Sequence, residues 1–165
     1  MTTSAKTFAA ELKHEAVKTQ KMLERVPMEK ATWKPHEKSM TLERLARHVA
    51  EMSEWATMTI KTDELDLSKV YTPNPVMNTT EELVAFFKLK NEEAIAALEN
   101  VNEEEMKKPW TLRNGEQIYF SQTKALVMRD MVMNHIIHHR GQLSVYLRLL
   151  DIPVPGPYGP SADEH

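Results

Sequence analysis

A chain of 165 residues with a net charge of −3 suits one domain, residues 1–165, with a sizeable core. Its 41% hydrophobic and 27% charged residues fit a folded globular protein, and the scattered Lys and Arg exclude a nucleic-acid surface built on a basic patch. No apolar run approaches the roughly 18 residues of a bilayer span, residues 1–14 lack the apolar core of a signal peptide, and the absence of cysteine fits a reducing cytoplasm and removes any cysteine nucleophile.

Helix signals dominate the chain. Ser4 is a candidate cap for a first helix that carries Phe8, Leu12, Ala16 and Leu23 at helical spacing and stops before Pro27. Residues 26–40 contain Pro27, Trp33 and Pro35 and are too broken for a regular element. Thr41 is the candidate cap of a second helix with the apolar face Leu42, Leu45, Val49, Met52 and Ala56. Residues 62–78, with Pro73 and Pro75, read as a long crossing loop. Thr79 or Thr80 then caps a third helix bearing Leu83, Phe86, Phe87, Ile95 and Leu98.

The pattern changes over 107–121. Trp110-Thr111-Leu112 and Gln117-Ile118-Tyr119-Phe120 flank Asn114-Gly115, which predicts a small hairpin. The last helix is expected from Ser121 or Gln122 to Leu150, apolar around most of its circumference and the most buried of the set. Pro153, Pro155, Pro157 and Pro160 make residues 151–165 an extended tail. Four main helices with long connections predict an all-α four-helix bundle.

Three of the seven histidines crowd into that last helix. His135 and His139 are four residues apart, hence about 40° apart around the axis and one turn above one another. His48 shares a stripe of the second helix with Leu45, Met52 and Trp55. Imidazole suits zinc, nickel, copper and iron, and three protein ligands leave a coordination position open, as catalytic zinc sites do. Spacing also allows His138 in place of His139, and buried histidines often serve only as hydrogen-bonded core residues. Glu51, one turn after His48, is the candidate to orient an imidazole or act as a base. Gln142 and Tyr146 follow His139 by one and two turns and are candidates to support a ligand or touch substrate. Arg140 is expected to pair with a carboxylate near a dimer face or to be exposed. Glu11-Leu12-Lys13-His14 matches half of a di-iron signature whose second Glu-x-x-His is missing, and no Gly-x-Ser-x-Gly motif supports a serine triad.

The run His135, His138, His139, Arg140, Gly141, Gln142, Leu143, followed by Tyr146-Leu147-Arg148 and Ile152-Pro153-Val154-Pro155, resembles the C-terminal pattern of the DinB-like (damage-inducible) proteins. Trp33-Lys34-Pro35, Ser39-Met40-Thr41-Leu42 and Leu45-Ala46-Arg47-His48-Val49-Ala50-Glu51 agree with it in the first half. The resemblance implies a four-helix bundle, often a homodimer, with one divalent metal on His48, His135 and His139. The family includes thiol-dependent transferases and isomerases. The expectation is therefore a metal-dependent enzyme with one zinc or nickel ion per protomer. It would act on a small molecule by hydrolysis or by transfer of a low-molecular-weight thiol, with no nucleic-acid or membrane partner. The alternatives are a non-enzymatic metal-binding stress-response dimer and a small-ligand-binding bundle with a polar histidine core.

Overall fold

The structure, a computed structural model, describes residues 3–164. Helix α1 spans Ser4–Leu23, α2 spans Leu42–Lys61 and α3 spans Thr80–Asn100. The short α4 spans Glu103–Lys107, and the final helical run consists of α5 (Lys124–Val127), a π-helical segment (Met128–Asn134) and α6 (His135–Leu149). Each start has a physical cause. The Thr41 hydroxyl accepts the Arg44 amide of α2 at 3.2 Å. Thr79 forms a reciprocal capping box with Glu82, satisfying two otherwise orphaned donors. The first cap is Thr3 and not Ser4: Thr3 accepts from the Lys6 amide, while Ser4 binds Glu103 through its amide and hydroxyl.

The protein is mostly helical but not all-α. Strands β1 (Glu64–Asp66), β2 (Pro109–Asn114) and β3 (Gln117–Thr123) form a three-stranded sheet in that order. The hairpin appears where Asn114-Gly115 predicts it, with Gly115 at φ 58 in the left-handed region. Strand β1 was not expected. It lies in the supposed crossing loop and pairs parallel with β2, where Arg113 holds Glu64 through two hydrogen bonds of 2.8 and 2.9 Å. Three residues with one apolar side chain give too little alternation to announce a strand.

The final helix also starts later than expected, because Ser121 and Gln122 are still paired in β3 and Thr123 makes the cap. Lys124, 1% exposed, then ties this start to the end of α2 through the Ile60 carbonyl and to Glu105 of α4. This helix is not the most buried. It leaves Leu126, Ile137, Val145 and Leu149 exposed, whereas α2 buries a continuous face from Leu42 to Thr59. Asp151 closes α6 in the left-handed conformation, at φ 59, with the Ile152 amide reaching back to Leu147 O. No helix or strand is assigned from 151 to 164.

Two apolar clusters divide the helical body. Along α2 the first ends at Ala50 and the second begins at Met52; along the final helix the second ends at Ile136 and the first resumes at Leu143. His139 falls within this seam on the final helix, and His48 and His135 stand within one turn of its edges. No helix among the described residues is long and apolar enough to cross a membrane.

Candidate metal centre

Helix α2 supplies His48, and α6 supplies His135 and His139 on successive turns of one face. One ring nitrogen from each lies within 4.8 Å of the others. Ring centroids stand 4.5 Å apart for His48–His139 and His135–His139, and 5.2 Å for His48–His135. The π-helical segment ends directly before His135, so the wider turn sets the rotation at which α6 presents its histidines. His138 is exposed on the neighbouring face and is not among the three converging rings. Of the two arrangements the spacing allows, the structure brings together His48, His135 and His139.

Neighbouring polar groups fix two of the rings. His139 Nδ1 is 2.7 Å from the Gln142 side-chain oxygen, and His48 Nδ1 is 3.1 Å from Glu51 Oε1. Both oxygens are acceptors, so each Nδ1 carries the proton and each Nε2 keeps its lone pair for a ligand. His135 Nδ1 is buried without a hydrogen bond of ordinary geometry, although the nearby Met131 carbonyl favours the protonated ring. Burial pushes His139 down to about 4, reinforced by the other histidines and opposed by Gln142. Burial and His48 also lower His135. Neutral imidazoles at neutral pH are the form a metal needs, so the donor set fits a divalent ion.

Glu51 faces three donors: His48, Arg44 at 3.2 Å and, more distantly, Asn74 at 3.4 Å. Burial would raise its pKa, but these bonds outweigh burial and hold it below the usual carboxylate range. A carboxylate so engaged is a poor proton acceptor and a good anchor for an imidazole. Sequence reasoning missed Asn74, which reaches Glu51 and, at 2.7 Å, Glu54 from the Pro73–Pro75 loop. Nothing local announces contacts made across 20 and 23 residues.

The other candidates divide cleanly. Gln142 supports His139, whereas Tyr146 packs edge-on to Trp33 and donates to Met40 O, away from the three histidines. Arg140 is 2% exposed and pairs with buried Glu15 of α1, which also accepts from the Tyr158 hydroxyl. Glu11 of the half di-iron signature is engaged by Arg129 in a two-bond ion pair, at 2.8 and 2.9 Å.

Comparison with known proteins agrees with this architecture. An uncharacterized protein of Bacillus subtilis (strain 168), YjoA, is 27% identical over 134 residues, covering 79% of this chain and 80% of its own length. The crystal structure of that DinB-like protein superposes with a TM-score of 0.67 at 22% identity, over 88% of this chain and 92% of that one. A DinB-like protein from Bacillus cereus gives a TM-score of 0.68, also at 22% identity, over 90% and 94% of the two chains. The family model described as the DinB family matches residues 1–165, and the chain belongs to that family.

Proposed function

We propose that the chain is a metal-dependent enzyme whose four long helices act as a four-helix bundle around one divalent ion, zinc or nickel, held by His48, His135 and His139. The observation that carries this reading is the convergence of three ring nitrogens within 4.8 Å, two of them backed by acceptors that leave Nε2 free. Such an ion supplies Lewis acidity and an open position at which water or a thiol loses its proton. Glu51 and Gln142 then orient imidazoles; the pairing of Glu51 supports an orienting role over that of a general base. Hydrolysis and transfer of a low-molecular-weight thiol both fit. The chain has no cysteine, so the thiol would be a cosubstrate, and the cytoplasm is where such thiols are reduced.

A homodimer is part of this proposal. Ile137, Val145 and Leu149 form an exposed apolar stripe on the outer face of α6, and nothing lies within 4 Å of where a Cβ would stand on Gly141 between them. The second reading, a non-enzymatic metal-binding stress-response dimer, shares this stripe and the same metal site. The test is elemental analysis of protein purified without a nickel column. About one divalent ion per protomer is expected, lost in His48→Ala and His139→Ala and kept in His138→Ala. Metal that survives loss of His139 but vanishes with His138 overturns the ligand set.

A further inference from the structure

One sizeable cavity is not lined by the histidines. It is an open cleft of about 740 Å³ between α2, α3 and the 65–74 segment. It nonetheless runs beside them. At 100° per residue, Trp55, Arg44 and Glu51 stand about 20°, 40° and 60° from His48 around α2, all toward the cleft. The volume suits a small molecule, and Trp55, Met58, Leu65, Leu67, Tyr71 and Pro73 make most of the wall apolar.

The charges of the wall are unequal in how they are satisfied. Its three carboxylates are all occupied: Glu51 by His48 and Arg44, and Glu54 and Glu93 by Lys90 at 2.9 and 3.3 Å. Arg47 is held only by a single contact of 3.3 Å to Glu43, which is not part of the wall. The unmatched charge near His48 is therefore positive. Arg47 and Trp55 are eight residues apart, about 12 Å along α2, and the wall residues between them on the helix are the already paired Glu51 and Glu54.

We propose that this cleft binds a small organic carboxylate with an aromatic or aliphatic body. Its anionic end pairs with Arg47, and its body lies against Trp55 and Tyr71. This rests on the metal reading only for the reason a substrate would lie here. The cleft itself is present whether or not a metal is bound. Asn74 adds a link between the two. It belongs to the 65–74 wall and bonds Glu51, so the segment that covers a bound molecule also contacts the carboxylate that holds His48.

The test uses the full chain with 4-phenylbutyrate, 4-phenylbutan-1-ol and acetate as probes, followed by calorimetry and by Trp fluorescence. It is run on metal-free and zinc-loaded protein. The phenylbutyrate should bind both forms at least tenfold more tightly than the alcohol or acetate, and Arg47→Gln should lose about that factor. Trp55→Phe should remove most of the fluorescence response, because Trp55 is the tryptophan that lines the cleft, whereas Trp33 packs on Tyr146 and Trp110 is fully buried. Equal affinity for the alcohol overturns the carboxylate assignment, and no effect of Arg47→Gln, or loss only in Lys61→Gln at the far end of the cleft, overturns Arg47 as the anchor of the anionic end. No binding to either form overturns the site. Absence of bound metal with intact phenylbutyrate binding overturns the metal reading alone.

Discussion

His139 offers a quantitative test of the centre through the acid stability of the metal-free protein. In the folded chain its imidazole, 8% exposed, is held at about 4, against 6.5 for an ordinary histidine. The unfolded state therefore binds a proton between these values that the folded state refuses. Stability rises with pH wherever the unfolded state holds more protons, so the contribution is intact above pH 6.5 and is lost as pH falls toward 4. At about 1.4 kcal/mol per pH unit, the loss is roughly 2 kcal/mol at pH 5 and about 3 kcal/mol at pH 4. His135, lowered by the same burial, acts in the same direction. Urea unfolding of chelator-treated protein at pH 7, 6, 5 and 4 measures this. Carboxylates such as Glu15 and Glu51 also lose stabilisation in acid, so the informative quantity is the difference from His139→Gln. That variant should flatten the curve between pH 6.5 and 4 by the stated amounts. A curve parallel to wild type would show that His139 is not held neutral by burial and would refute the electrostatic account of the site.

Three further outcomes are expected. Glu51→Gln should weaken zinc binding by about 10- to 100-fold in a chelator competition while leaving helical content unchanged, because it loosens His48 and not the core; undiminished affinity would remove Glu51 from the centre. Arg140→Met leaves Glu15 buried beside only Lys18 and Tyr158, and should destabilise the chain by about 3–5 kcal/mol in chemical denaturation, with Tyr158→Phe costing about 1–2 kcal/mol. Light scattering at micromolar concentration should give a dimer mass, and Val145→Glu should give a monomer; a monomeric wild-type chain would leave the α6 stripe without the assigned partner.

Periodicity and capping chemistry made the long helices readable from the chain alone. Leu42, Leu45, Val49, Met52 and Ala56 recur at helical spacing, and Thr41 and Thr79 are side chains that satisfy helix-start amides. The His135/His139 pair and the Asn114-Gly115 turn were likewise local statements, carried by residues within one turn of each other. What the sequence could not decide lay across longer separations. His138 and His139 were equivalent until α2 was placed opposite α6 with His48 beside the latter. Strand β1 exists because Glu64 finds Arg113 across 49 residues, and Arg140 is buried because Glu15, across 125 residues, neutralises it. Asn74 became part of the site only when its loop folded back on α2. Local propensity depends on neighbours along the chain, whereas burial, ion pairing and the choice of a ligand nitrogen depend on neighbours in space, which the packing of the helices alone supplies.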